Sequence, residues 1–120
     1  MKIAVRTLVN SFNSLQVLSS QKIPAKTAFK ITRVMKKVKE EVELFEELKK
    51  KLVDEYGVVE DNQEFKVVPI GSEHFDKVNS ELNCVLDTEI EFLFEPISID
   101  DLGNIDIEPV HLHALEYMFI

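Results

Sequence analysis

The sequence has little cysteine, little glycine and no long apolar run, the features typical of disulfide-bonded, phosphate-binding and membrane-spanning proteins. Its single cysteine, Cys84, cannot form an internal disulfide, so a reducing, intracellular setting is expected. The three glycines, Gly57, Gly71 and Gly103, lie too far apart to cradle a phosphate. No apolar run approaches the roughly 20 residues that span a bilayer, and the first residues lack the apolar core of a signal peptide. Composition therefore predicts one intracellular domain of 120 residues with no membrane partner.

Acidic residues are missing from the first third of the chain. Residues 1–39 contain nine lysines or arginines and no Asp or Glu, whereas residues 54–120 contain two lysines and seventeen acidic residues. The net charge of −8 therefore conceals a basic beginning and an acidic end. Such asymmetry predicts an electrostatic partner for each half. The nearest partner for the acidic part is the basic part of the same chain or of a neighbouring subunit.

The longest uninterrupted pattern predicts one long helix over about residues 24–56. Pro24 suits a first helical position, Gly57 suits a left-handed residue just beyond the end, and no Gly or Pro lies between them. At about 1.5 Å per residue this helix would be roughly 50 Å long. Its apolar stripe has heptad-like spacing and either packs on its own chain or forms an interface with a second copy or another protein. The candidate interface consists of Met35, Val38, Val42, Phe45, Leu48, Leu52 and Tyr56.

The remaining periodicities predict an α+β fold in a single domain. A helix over residues 4–19 forms an antiparallel hairpin with the long helix and leaves the second half of that helix uncovered. A strand over 64–70, a helix over 73–86, a half-buried strand over 87–95 and a short helix from 108 to the end follow. The expected organisation is a basic helical hairpin over residues 1–57, then an acidic strand–helix–strand part with a short C-terminal helix over residues 58–120.

Basic residues form a row along one side of the predicted hairpin. Steps of three and four place them on one face of the connection and the long helix: Lys22, Lys26, Lys30, Arg33 and Lys37. The row fits a solvated face, pairing with the acidic half, contact with an acidic protein surface, or contact with a nucleic-acid backbone. Nucleic acid is the weakest of these, though it stays open. The sequence pI is about 4.9 and no aromatic residue is interleaved in the row.

The spacing of reactive residues predicts neither catalysis nor metal binding. On the predicted terminal helix His111 and His113 would point in different directions, so local spacing does not assemble a metal site. Cys84 is predicted to be a small buried residue of its helix and not a nucleophile. We expect no cofactor and no enzyme activity. The predicted strand also presents a candidate acidic face, solvated unless it binds a cation or partner, formed by Glu89, Glu91 and Glu95.

Four segments resemble small proteins of tailed bacteriophages. Residues 22–31, KIPAKTAFKI, are similar to an L-P-A-K-T-A-F-K-I opening, and residues 51–57, KLVDEYG, are similar to a K-L-x-E-K-Y-G helix end. Residues 86–91, LDTEIE, resemble an L-D-x-E-V-E strand, and residues 102–116 resemble an L-G-x-I-x-I-x-P-x-x-L-x-A-L-E ending. The function of that family is unknown, so the resemblance implies a phage origin and no chemistry.

The resemblance and the charge pattern together lead us to expect a non-enzymatic protein that acts by protein–protein interaction, in the host bacterial cytoplasm or the virion. The favoured role is a virion, tail or assembly accessory, with a phage structural partner or a homo-oligomer. The alternative is a phage-encoded inhibitor of a host enzyme or defence factor, whose acidic half mimics nucleic acid. The third is a nucleic-acid-binding accessory that uses the basic row.

Overall fold

The computed structural model describes residues 1–59, 66–68, 71 and 73–120. Two short 3₁₀ turns, Ile99–Leu102 and Glu116–Met118, accompany the regular elements. The predicted α+β fold, with a helical hairpin and one long helix, is confirmed. In chain order the elements are β1 (Lys2–Ala4), α1 (Val5–Ser19), α2 (Ala25–Tyr56), β2 (Val58–Val59), β3 (Lys66–Val67), α3 (Phe75–Leu86), β4 (Glu89–Glu91) and α4 (Pro109–Ala114).

The hairpin of α1 and α2 forms the main hydrophobic core. Apolar residues spaced three, four or seven apart give each helix one buried stripe, and the two stripes face each other. Fully burying one such aliphatic side chain contributes about 2 kcal/mol, so this seam is a major source of stability. Its buried members are Leu8, Leu15 and Leu18 from α1 and Ile31, Val34 and Val38 from α2.

The long helix begins and ends close to the predicted residues. The first turn closes through a 2.9 Å hydrogen bond from the Ala28 N–H to the Pro24 carbonyl, so Pro24 lies one position before the helix. At the other end Gly57 is extended, with φ −82° and ψ 160°, and the expected left-handed cap is wrong. The chain leaves α2 directly into β2, which pairs antiparallel with β3, and an extended Gly57 serves that exit.

The second half of α2 is covered by its own chain, so the expectation that it lies bare is wrong. Helix α3 and strand β3 both contact α2. Phe45 and Leu52 of α2 are buried, as is Val78 of α3. With 32 residues, α2 is about 48 Å long and runs the full 50 Å length of the molecule. The local pattern did not reveal α3 as the cover because that contact joins distant parts of the chain.

The strand β4 pairs antiparallel with the N-terminal strand β1, in the register Ile3 opposite Ile90. A strand of three residues is too short to show a periodicity, and β1 was not predicted. The predicted strand over 87–95 is paired only over Glu89–Glu91, with a last 2.8 Å bond from the Phe92 N–H to the Met1 carbonyl. Of the strand predicted over 64–70, β3 holds Lys66–Val67, and residues 64, 65, 69 and 70 lie outside the described residues.

The C-terminal segment closes the core from the other side. The predicted terminal helix is regular only over Pro109–Ala114, because the chain after it turns back to pair with the segment that follows β4. The Ile97 N–H donates to the Met118 carbonyl at 2.9 Å, and the Ile120 N–H donates to the Ile97 carbonyl at 3.1 Å. Across the described part of the chain, no helix has both the length and the apolarity needed to cross a bilayer.

Adjacent residues on α2 test whether its second half is buried. Truncating Phe45 to alanine removes a buried ring, so we expect Phe45→Ala to lower the free energy of unfolding by about 3 kcal/mol. Leu44 is 60% exposed, and Leu44→Ala should change that free energy by less than about 0.5 kcal/mol. Urea denaturation followed by circular dichroism measures both. Equal losses for the two variants would show that α3 does not cover this half.

Candidate functional site

A cleft of about 270 Å³ lies between α2 and the extended segment that follows β4. Its floor is apolar, because Val34 is buried and Phe94 is half-buried. Its rim carries three cations from α2 and one carboxylate from the segment. We call this feature the basic cleft; it is lined by Lys30, Arg33, Val34, Lys37, Leu93, Phe94 and Glu95.

The buried stripe of α2 fixes where the cations point. Lys30, Arg33 and Lys37 each stand one position before a residue of the core seam. One position corresponds to about 100° of rotation around a helix. Packing α2 on α1 therefore turns this part of the basic row to the side of the seam, where the segment after β4 passes.

The cations in the basic cleft differ in what they contact. Lys30 Nζ lies 3.8 Å from a carboxylate oxygen of Glu95. Lys37 Nζ donates to the carbonyl oxygen of Leu93. The Arg33 guanidinium carbon lies 5.8 Å from the ring centroid of Phe29, a cation–π contact worth about 0.5–1 kcal/mol at an exposed site. Among the described residues, neither Arg33 nor Lys37 forms an ion pair with a carboxylate.

The first part of the basic row faces acidic residues of its own chain. Lys26 and Lys30 line a second cleft, of about 380 Å³, together with Asp100 and Asp101. Lys22 is exposed in the connection before α2. The basic row therefore has two parts. Acidic side chains of the same chain lie near its beginning, whereas Arg33 and Lys37 at its end are available to a ligand.

The candidate acidic face is exposed and contacts the basic half at a few points. Glu91 Oε1 lies 2.7 Å from the Met1 ammonium nitrogen, and Glu95 pairs with Lys30. Beside this face, Arg6 Nη2 lies 3.0 Å from Asp87 Oδ1. Exposed pairs of this kind contribute about 0–1 kcal/mol each. They orient the acidic part against the hairpin more than they stabilise it.

Three aromatic rings position the floor of the basic cleft. The Phe94 ring centroid lies 5.5 Å from that of Phe92 and 6.2 Å from that of Tyr117, the latter in an edge-to-face arrangement. The Tyr117 hydroxyl oxygen lies 2.9 Å from Ser11 Oγ. Ser11 Oγ donates its only proton to the Leu8 carbonyl at 3.0 Å, so Tyr117 is the donor.

A second polar contact attaches the C-terminal segment to α1. Ser14 Oγ lies 2.9 Å from Nδ1 of His111. Ser14 is buried, so its hydroxyl is closed to a substrate. The pair satisfies a buried polar group, and it keeps α4 beside the hairpin.

Two residues of this surface, Phe29 and Leu93, were not among the predicted site residues. Phe29 is 65% exposed and its ring lies against the Arg33 guanidinium, so the expectation that no aromatic residue is interleaved in the basic row is wrong. Its position four residues before Arg33 is the signal that indicates this contact. Leu93, 67% exposed, interrupts the acidic alternation of the predicted strand.

The apolar stripe of α2 is largely occupied within the chain. Val38, Phe45 and Leu52 are buried. Met35 and Val42 pack against the main core cluster. The other two members, Leu48 and Tyr56, are half-buried. The Tyr56 ring contacts His74, at 5.0 Å between ring centroids, and Lys77 Nζ, at 4.9 Å. An interface with a second copy through this stripe stays a prediction.

The remaining reactive residues lie apart. His113 is exposed and its Nδ1 is 3.6 Å from Glu116, while His111 bonds Ser14. Cys84 is exposed on α3, so its predicted burial is wrong. Val85 and Leu86 are the half-buried neighbours on that helix. Within the described residues, no three His, Cys, Asp or Glu side chains are grouped closely enough to hold a metal ion.

Comparisons of the chain with family models, with curated proteins and with solved structures found no match.

The buried Tyr117 hydroxyl, which holds the floor of the basic cleft against α1, makes the stability of the fold depend on pH. Burial raises the pKa of Tyr117 above its ordinary value of 10.0, and the smaller effect of the Ser11 hydrogen bond acts in the opposite direction. The folded state therefore holds this proton more tightly than the unfolded chain. The stability that results is complete below pH about 10 and is lost as the pH rises further.

We expect the free energy of unfolding of the native chain to fall more steeply between pH about 9.5 and about 11 than that of Tyr117→Phe. The phenylalanine variant keeps the ring contact with Phe94 but has no proton to lose. Urea denaturation at a series of pH values measures the difference between the two curves. Parallel curves would show that Tyr117 titrates like an exposed tyrosine.

Proposed function

We propose that this chain is a non-enzymatic bacteriophage protein that acts by binding another protein, and that the basic cleft is its docking site. The observation that carries the proposal is the meeting of open cations with exposed apolar side chains. Arg33 and Lys37 lack carboxylate partners within the described residues, and Phe29 and Leu93 are mostly exposed beside them. Exposed apolar groups rimmed by charge are typical of interaction sites on proteins.

Two roles fit this surface, and the phage origin of both rests on the resemblance of the four sequence segments. The favoured role is a virion, tail or assembly accessory, in which the basic cleft receives an acidic surface of a phage structural protein. The alternative is an inhibitor of a host enzyme or defence factor, acting through the acidic half. Exposed carboxylates at Asp100, Asp101, Asp106 and Glu108 support that alternative, because they concentrate negative charge in one short stretch of the chain.

Nucleic-acid binding is a second candidate function, favoured by the stacking of Arg33 on Phe29. Aromatic and arginine side chains on a basic groove bind single strands by stacking and by phosphate contacts. Against it, the groove turns acidic toward the start of α2, where Asp100 and Asp101 lie. Phosphates following the row in that direction would meet these carboxylates.

Charge reversal in the basic cleft tests the proposed function. The double variant Arg33→Glu/Lys37→Glu should lose a partner protein that the native chain captures from an infected-cell lysate, because both cations face the open end of the cleft. We expect the recovered amount to fall by at least about tenfold, as expected for the loss of more than about 1.4 kcal/mol. Quantitative mass spectrometry measures the recovery.

The matched control is Lys49→Glu/Lys51→Glu, which makes the same charge change at exposed positions on the second half of α2. It should retain the partner. Loss of the partner from both double variants would mean that overall charge, and not the basic cleft, determines capture. Retention by both would contradict the proposed docking site.

A further inference from the structure

In the part of the chain that the structure describes, no strand pairs with one edge of β4. In an antiparallel pair, alternate residues direct their main-chain N–H and C=O groups toward the partner strand. The bonds from Phe92 N–H to Met1 and from Val5 N–H to the Thr88 carbonyl show that Thr88 and Phe92 face β1. The main-chain groups of Glu91 and, two residues further on, Leu93 therefore point to the opposite edge. Within the described residues, β1 and β4 form a sheet of only two strands.

This open edge faces the cations of α2. The Leu93 carbonyl accepts a hydrogen bond from Lys37 Nζ, which fixes the direction of the main-chain groups of Leu93. In the described part of the chain, the Leu93 N–H has no hydrogen-bond acceptor. An extended strand edge beside a helix is a groove that can add a further strand.

The groups that a ligand meets at the open end of this groove are donors. They are the Leu93 N–H, the Arg33 guanidinium and the Lys37 ammonium group, above an apolar floor of Val34 and Phe94. Arg33 and Lys37 lie one helical turn apart, so a single carboxylate can reach both. A ligand that satisfies this set has a main-chain carbonyl, a carboxylate and an apolar side chain, and an acidic peptide segment carries all three.

We propose that the basic cleft binds an extended acidic peptide segment of the partner by strand addition. The segment pairs its main chain with the edge at Leu93, places an apolar side chain on Val34 and Phe94, and directs a carboxylate to Arg33 and Lys37. This inference rests on the proposed function, since it specifies how the same docking site is filled.

The length of the open region favours a short acidic segment over a nucleic acid. Glu95 pairs with Lys30, one helical turn before Arg33, and Lys30 also lines the second cleft, together with Asp100 and Asp101. Of the three cations that line the basic cleft, Arg33 and Lys37 have no carboxylate partner in the described part of the chain. A polyphosphate chain requires a continuous row of cations, whereas one carboxylate between apolar residues does not.

A proline at the open edge tests the strand addition directly. Leu93→Pro removes the unpaired N–H and breaks no hydrogen bond among the described residues, and proline is tolerated on an edge strand. Leu93→Ala shortens the side chain and keeps the N–H, so it is the matched control. The probe is the acetylated, amidated and fluorescein-labelled peptide Glu-Val-Glu-Val-Glu, with binding followed by fluorescence anisotropy. A thermal melt of each variant establishes that it is folded.

We expect saturable binding of this probe. Leu93→Pro should weaken it at least about fivefold relative to Leu93→Ala, and Arg33→Glu/Lys37→Glu should weaken it at least about tenfold. A second measurement covers the case in which Leu93→Pro fails to fold. A probe whose central peptide bond is replaced by a trans-alkene has no carbonyl there to accept a hydrogen bond from the Leu93 N–H, so it should bind the native chain at least about fivefold more weakly.

Each contrary outcome has a definite meaning. Binding that depends on Arg33 and Lys37 but is unchanged by the trans-alkene replacement would overturn strand addition and leave the proposed docking site in place. Tighter binding of a labelled oligothymidylate, lost in the same double variant, would overturn the peptide in favour of nucleic acid. Absence of saturable binding up to about 1 mM, a weak limit for any specific site, would overturn the inference alone, since partner capture is measured separately.

Discussion

The packing of α1 on the first half of α2 is the constraint on which the rest of the structure depends. It buries one stripe of α2, and a helix with one stripe fixed has every other side chain fixed in direction. The cations of the basic row stand immediately before buried positions: Lys26 before Thr27, Lys30 before Ile31, Arg33 before Val34 and Lys37 before Val38. The hydrophobic seam and the basic row are thus two consequences of one spacing, and disturbing the seam would rotate the row.

The C-terminal part supplies the second wall of the basic cleft through contacts that span most of the chain. Strand β4 is held by β1, and the segment after it is held by Met118 and Ile120 through the Ile97 main chain. Tyr117 then contacts both Ser11 beneath it and the Phe94 ring. The cleft therefore exists only when the two ends of the chain have met, and the acidic half contributes position as well as charge.

The local patterns of the sequence predicted the helices better than they predicted which elements pack against each other. Helices α1, α2 and α3 follow from apolar spacing, with Pro24 and Gly57 marking the limits of α2. The pairing of β4 with β1 and the cover that α3 provides were not predictable, because they are contacts between residues distant in sequence. Cys84 was placed wrongly because its apolar neighbours say nothing about which side of the helix faces solvent.

The site was predictable in part. The spacing of the lysines and arginines predicted the basic row. It did not predict that Asp100 and Asp101 lie beside the beginning of the row while Arg33 and Lys37 stay open, because this depends on where the segment after β4 passes. Phe29 was readable from its distance to Arg33, and Leu93 from its break in the acidic alternation. Predicting the open strand edge would have required the register of β4 on β1, and local sequence patterns do not contain that register.

We propose that the open end of the basic row and the strand edge at Leu93 act as one site. The most direct measurement is a two-dimensional amide NMR titration of the native chain with the Glu-Val-Glu-Val-Glu peptide. We expect the shifts to be confined to the amides of residues 93–95 and of the α2 turn from Arg33 to Lys37. Shifts centred on Lys49–Lys51, or spread evenly over all basic residues, would contradict it.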